Sequence, residues 1–368
     1  MKLIVQPGDG VTPLVKGIDT AKERVEIVIF RFDRSEIERA LKNAVNRGVF
    51  VHALIAYTNR GGEANLRKLE SRLLEDGVTV ARTASDLLRY HDKLMIVDRR
   101  ELYLMAFNLT YLDIERSRSF GIVTRHRRLV QEAIKLFEAD TTRRPYSAGL
   151  HSFVVSPVNA RKQLAAFIRG ARKQLLIYDP KVSDPAMLRL LQDRLRAGVE
   201  LKVIGRVTRK RDKLEVSKLP YLRLHTRTMI RDRRQAFIGS QSLREIELDA
   251  RREVGIIFRD PKVVSRLLKS FEDDWARAQK EAPPVERKTA PAGRAAKIVV
   301  RAITRELPPV APVLQDAVKE VVGENTQIEL DAKEVEETVK DAVKQAVTQV
   351  VKDVVEEAVE EKEDGEPT

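Results

Sequence analysis

Two rhythms of apolar residues alternate along this chain, and the alternation occurs twice. Short runs rich in Val, Ile and Leu read as strands, and apolar positions three and four apart read as helices. Residues 4–30 (IVQPGDGVTPLVKGIDTAKERVEIVIF) and 154–180 (VVSPVNARKQLAAFIRGARKQLLIYDP) follow one plan: a β-branched pair, x-Pro, a helix-like segment, a short apolar strand. Residues 36–56 and 186–206 continue it with an amphipathic helix, a glycine at its C-terminal end and a Val/Leu/Ile strand. The two copies align at a constant offset of 150 residues. The first then carries an additional helix pattern at 62–77, and the second a basic stretch at 206–218. Each copy closes on a strand, a turn, a second strand, a third strand at 120–124 or 254–258, and a helix at 126–139 or 261–279. The expectation is a duplicated α/β fold with lobes at 1–147 and 148–280. Each lobe has a central mixed, mostly parallel sheet flanked by helices.

Past residue 280 the rhythm changes. Residues 281–310 read as a Pro/Ala-rich linker, and 311–368 as an acidic, amphipathic helical tail, partly disordered. Val and Ala at 332, 335, 339, 342, 343, 346, 350, 354 and 358 form one face of that tail. Its other face is acidic and repelled by anionic lipid, so self-association or a partner helix is its expected use.

Composition narrows the chemistry. The chain has 368 residues and no cysteine, which excludes disulfides, thiolate metal sites and a cysteine nucleophile. No apolar run approaches the roughly 18 residues of a membrane span, and the first ten residues lack a signal peptide's apolar region. A cytoplasmic location with peripheral contact to membranes is the expectation. The net charge of +13 is unevenly distributed: residues 331–368 carry −8 and residues 1–330 carry +21. A strongly basic globular part points to an anionic partner, whether phosphodiester substrate, anionic membrane surface or nucleic acid.

The candidate chemistry lies in the last third of each copy. YHDKLMIVDRR (90–100) and LHTRTMIRDRR (224–234) share the spacing H-x-(K/R)-x4-D: His91, Lys93, Asp98 and His225, Arg227, Asp232. With five histidines in the chain, two such hits arise by chance with a likelihood on the order of one in a thousand. Strand alternation points His91 and Lys93 the same way, and likewise His225 and Arg227. An imidazole beside a cation is half of a phosphate site, and two halves together supply two of each. Asp98 and Asp232 have the opposite parity and are expected to anchor the strand end or the following turn. His52, His126 and His151 lie outside the motif and read as structural or surface residues.

Paired H-x-K-x4-D motifs in a duplicated α/β chain resemble the phospholipase D superfamily, over about residues 1–280. That superfamily includes phospholipases D, cardiolipin and phosphatidylserine synthases, and endonucleases. In it, a G-S-x-N segment follows each histidine by about 14 to 17 residues, and a carboxylate that steadies the imidazole follows by about 28. Here the second copy reads GSQS at 239–242 with Glu253, and the first reads MAFN at 105–108 with Ser119. Each copy thus keeps part of the set: His91, Lys93 and Asn108 in one; His225, Arg227, Ser240, Ser242 and Glu253 in the other. The resemblance implies a two-step reaction without metal or cofactor through a phosphohistidine. Lys93, Arg227, Asn108, Ser240 and Ser242 would bind the phosphate, and Glu253, steadying His225, would make it the nucleophile and His91 the acid. It implies a phosphodiesterase or phosphatidyltransferase acting on phospholipids. A metal-independent nuclease and a catalytically weakened phosphate-binding scaffold are the alternatives; the low aromatic content (5%) disfavours base stacking and hence the nuclease.

Overall fold

The computed structural model describes residues 1–57, 63–208 and 214–280. The expected linker and tail, residues 58–62, and residues 209–213 of the basic stretch lie outside the described residues. Residues Met1–Ala282 form one compact unit.

The first copy runs β1 (Lys2–Gln6), α1 (Thr12–Asp19), β2 (Arg24–Ile29), α2 (Ser35–Asn46), β3 (Phe50–Ile55), α3 (Glu63–Glu75), β4 (Thr79–Arg82), β5 (Arg89–Tyr90), β6 (Leu94–Val97), β7 (Glu101–Met105), α4 (Tyr111–Glu115), β8 (Ser117–Thr124) and α5 (Arg127–Thr141). The second runs β9 (Phe153–Ser156), α6 (Ala160–Arg169), β10 (Gln174–Val182), α7 (Pro185–Arg196), β11 (Glu200–Val207), β12 (Glu215–Ser217), β13 (Arg223–Leu224), β14 (Arg227–Arg231), β15 (Gln235–Gly239), α8 (Glu245–Asp249), β16 (Arg251–Phe258) and α9 (Pro261–Lys280). The glycine stops act as expected. Gly48 and Gly198 end α2 and α7 at φ +82° and +80°, and Val49 and Val199 donate back to Ala44 and Arg194.

Each copy builds a mixed sheet, β1-β8-β7-β6-β2-β3-β4 and β12-β11-β10-β14-β15-β16, with β9 also on β16. Pairing is parallel where β-α-β units lie, at β2/β3/β4 and β10/β11/β12. It is antiparallel across the hairpins that carry the histidine motifs. Antiparallel pairs therefore take a larger share than the helix–strand rhythm suggests, because tight turns at 98–100 and 232–234 replace helical crossovers. Asp98, Arg99, Asp232 and Arg233 take positive φ in those turns.

The two copies share one core. Leu94, Ile96, Phe120 and Ile122 of the first sheet, with Leu136 and Phe137 of α5, meet Tyr178, Ile230, Ile238 and Ile256 of the second, with Leu267 and Phe271 of α9. Phe120, Tyr178, Phe271 and Trp275 form an aromatic run through it. Separate clusters fill the outer faces under α1, α2 and α3, and under α6 and α7. Burying apolar surface between the copies, at about 25 cal/mol per Å², holds their sheets in one fixed relation. A site built from both depends on that relation.

Candidate active site

The strand before each histidine belongs to the other copy's sheet. β5 pairs parallel with β16, Tyr90 opposite Arg252, and β13 pairs parallel with β8, Leu224 opposite Arg118. The histidine N–H then continues each foreign ladder: His91 donates to Arg252 C=O at 2.8 Å, and His225 to Arg118 C=O at 3.1 Å. Neither histidine sits inside a strand as its flanking sequence suggests. Residues 91–93 and 225–226 are the crossings between one sheet and the next.

This exchange changes the partner of Glu253. The residue follows Arg252 on β16, so it meets the histidine of the other copy. His91 Nδ1 lies 2.9 and 3.1 Å from the two Glu253 carboxylate oxygens. The expectation that Glu253 steadies His225 is corrected here, because sequence proximity placed the carboxylate in the same copy while the crossed strands carry it to the opposite one. Ser119 takes the corresponding place after Arg118; it is buried and its hydroxyl has no hydrogen-bond partner. His225 instead faces Asp113 from α4, with Nδ1 3.4 Å from Oδ2 and no hydrogen-bond geometry.

The cations fold back alike. Lys93 Nζ donates to His91 C=O and Arg227 Nη1 to His225 C=O (2.8 Å). Lys93 is fully enclosed, with its Nζ 5.3 Å from the Phe30 ring centroid, and the same ring meets His91 edge-on at 4.6 Å. Arg227 has a polar cage: Nε donates to Ser242 Oγ at 3.1 Å and Nη2 lies 3.9 Å from Glu247. Asn108 Nδ2 donates to Asp113 (2.6 Å) and its Oδ1 has no partner. The Ser242 N–H donates to Glu247 at 2.7 Å, as the Asn108 N–H does to Asp113 at 2.8 Å. The Ser240 hydroxyl accepts from the Val254 N–H at 3.1 Å, which braces β16 beside Glu253, and its hydrogen bonding to the Glu253 carboxyl opposes the upward shift that burial imposes there. Asp98 accepts the N–H groups of Lys22, Glu23 and Arg24, and Asp232 those of Arg172, Lys173 and Gln174. Both therefore pin the turn after the motif strand to the start of the neighbouring strand, away from the imidazoles.

The electrostatics of these groups are linked across the two copies. Burial pushes His91 well below the usual imidazole value, and the charges of Lys93, Arg227 and His225 add to it. Burial does the same to His225, with Arg227 adding and Asp113 opposing. Lys93 is lowered to about 7 by burial, with Glu253 opposing. Glu253 is raised to about 8 by burial and then by the Glu247 charge, with Lys93 and Arg227 pulling back. For Asp113 burial alone would act upward, but His225, Arg223 and the Asn108 N–H outweigh it and hold the carboxyl low. The site is thus a dry set of mutually dependent charges, suited to an anion that arrives from water. Among the described residues no cluster of three or more His, Asp or Glu is arranged to hold a metal ion.

Sequence reasoning passed over Asp113 and Glu247, each 22 residues after its histidine, although that recurrence is visible in the chain. It also passed over two ion pairs between the copies, one buried and one part-buried. Arg252 binds Asp140 of α5 (3.0 Å) and Arg118 binds Asp274 of α9 (2.7 and 2.9 Å), and these arginines own the carbonyls that receive the histidine N–H groups. The other histidines are remote from this cluster: His52 packs on Phe137, His126 precedes α5, and His151 contacts Gln163.

Two sheets that exchange the strands before their histidines, around one imidazole–cation cluster, define a phospholipase D-type chain. The chain belongs to this superfamily: the family described as "Cardiolipin synthase, PLD-like domain" matches residues 14–141 and 164–275. It is similar to a curated mitochondrial cardiolipin hydrolase of Danio rerio, 28% identical over 130 residues, which are 34% of this chain and 56% of the relative. The match thus spans about half the relative's length. Among solved structures it is similar to a polyphosphate kinase of Porphyromonas gingivalis (TM-score 0.64, 19% identity, 74% of this chain and 50% of that one). It is also similar to a phosphatidylserine synthase of Haemophilus influenzae Rd KW20 (TM-score 0.57, 12% identity, 75% of this chain and 86% of that one). At such identities the structural likeness concerns the fold. Among the described residues no helix is long and apolar enough to cross a membrane.

Proposed function

We propose that this chain cleaves or transfers the phosphodiester bond of a phospholipid, with His91 as nucleophile and His225 as general acid and then base. The observation that carries the reading is the Glu253–His91 contact within a cluster holding a second imidazole, Lys93 and Arg227. A carboxylate on Nδ1 fixes the tautomer that leaves the Nε2 lone pair free and raises its basicity. In the first step Nε2 of His91 bonds to phosphorus, the P–O bond to the alcohol breaks, and the departing oxygen takes a proton from His225. In the second, water or another alcohol gives its proton to His225 as its oxygen bonds to phosphorus, and the P–N bond breaks. Lys93 and Arg227 bear the charge on the non-bridging oxygens, with Asn108 and Ser242 orienting their surroundings. The arriving anion offsets the burial and the neighbouring positive charge that hold both imidazoles neutral, and lets His225 carry its proton. Lipid is favoured over nucleic acid by the family description and by relatives named for cardiolipin and phosphatidylserine chemistry.

Purified protein incubated with cardiolipin or phosphatidylglycerol, an alcohol acceptor and chelator tests this, with single-stranded DNA in parallel. The expected outcome is a released or exchanged alcohol from lipid, lost in both His91→Ala and His225→Ala. Cleavage of DNA alone would replace lipid with nucleic acid. Equal results for wild type and both variants would remove the enzymatic reading.

A further inference from the structure

The duplication allows each wall of the site to be compared with its counterpart, and one pair of walls differs. Beside His91 the wall is bulky: Phe30 meets the imidazole edge-on at 4.6 Å, with Ile55 and Tyr90 at the corresponding strand ends. At the matching positions of the second copy stand Pro180, Gly205 and Leu224. Gly205 has φ +144°, and a Cβ there would lie 1.8 Å from the Asp179 carbonyl oxygen, so the backbone itself keeps that place free of a side chain. Beside these smaller residues the second copy has a cavity of about 350 Å³ lined by Pro180, Gly205, Arg206, Lys218, Leu222 and Arg223, with leucines 219 and 224.

Its charges are uneven in a useful way. Arg223 turns to Asp113 and Ser117, and Asp113 in turn faces His225. The cavity wall is thereby tied to the imidazole's own carboxylate. Arg206 and Lys218 are exposed, and among the described residues neither has a carboxylate partner. Two cations without a carboxylate partner among the described residues, beside proline and leucine side chains, fit a phosphate on a short aliphatic stem.

We propose that this cavity seats a second phosphate of the substrate, carried on the alcohol whose oxygen His225 serves. The inference deepens the phosphodiester reading and rests on it. It also accounts for the asymmetry: the first copy closes its wall around the nucleophile, and the second opens its wall to the group that departs or arrives.

The test compares kcat/KM for a diester with one phosphate, bis(4-nitrophenyl) phosphate, with that for substrates carrying further phosphates. The latter are a bis-phosphate lipid in mixed micelles and a short oligonucleotide. In Arg206→Ala/Lys218→Ala the ratio of multi-phosphate to single-phosphate kcat/KM is expected to fall about tenfold or more, mainly through KM, as loss of a charge-assisted contact dictates. The arm in which it falls identifies the lipid or the nucleic acid as the source of the phosphate. A ratio unchanged within about twofold in both arms overturns the inference while leaving the phosphodiesterase reading intact. Should no diester be turned over at all, calorimetric titration with glycerol 3-phosphate still decides: tenfold weaker binding to the double variant supports the seat. Equal affinity, or no binding to wild type, overturns it.

Discussion

The His91 and His225 sides share one backbone plan and differ in what surrounds the ring. His91 has a carboxylate in hydrogen-bond contact, an aromatic edge against it, and a lysine without a side-chain counterion among the described ion pairs. His225 has a carboxylate at 3.4 Å without hydrogen-bond geometry, an open cavity behind its strand, and an arginine caged by Ser242 and Glu247. Equivalent places thus offer different chemistry: both rings are equally buried, but one is fixed by a carboxylate and the other is not. Duplication supplies two imidazoles, and divergence of the neighbours assigns them separate tasks.

After the histidines themselves, the largest expected effects lie in the cations. Lys93→Met and Arg227→Met should each lower kcat by about 10²–10³, since each removes charge stabilisation of the transferring phosphoryl group. Stability should separate them. Lys93→Met removes an enclosed charge, so thermal unfolding should move up by roughly 2–4 °C per kcal/mol gained. Arg227→Met removes the hydrogen bonds to Ser242 and to the His225 carbonyl and should move it down. The sign follows from titration. Burial lowers Lys93 to about 7 from its ordinary 10.5, so between those values the unfolded chain binds the extra proton. Its contribution to stability therefore rises with pH across that window, and Lys93→Met should lack this rise.

Next come the two carboxylates. Glu253→Ala should cost about 10–100-fold in kcat, the usual range for a group that orients a catalytic imidazole, and Asp113→Ala about tenfold or less. Equal losses would erase the distinction between the two sides. The pH dependence of kcat/KM sharpens the same point. Activity needs Glu253 ionised and Lys93 protonated, and burial places these groups near 8 and 7. The profile should be a narrow bell with its maximum between these values. Glu253→Gln should abolish the rising limb and keep the falling one. The smallest contrast is a control: Asp98→Ala and Asp232→Ala should each destabilise by about 1–3 kcal/mol through orphaned turn amides, by similar amounts, as read by denaturant unfolding.

The sequence made much of this fold legible, because helices, glycine stops and apolar strands follow local rules. The repeated H-x-(K/R)-x4-D spacing located both histidines, both cations and the turn aspartates 98 and 232. Local rules do not reveal which sheet a two-residue strand joins. Arg89–Tyr90 and Arg223–Leu224 are too short for a hydrophobic rhythm, and their attachment to the opposite sheet is a tertiary choice. That choice moved Glu253 from His225 to His91 and with it the roles of the two rings. Asp113 and Glu247 were hidden for a different reason: short polar helices after a strand resemble surface loops until their carboxylates are seen turned inward.

The central claim is that crossed strands give His91 the carboxylate and therefore the covalent step. Rapid quenching of a single turnover with a phosphate-labelled diester, followed by peptide mapping at alkaline pH, tests it most directly. The account predicts label on the peptide containing His91, and loss of label in His91→Ala. Label on the peptide containing His225 would contradict it.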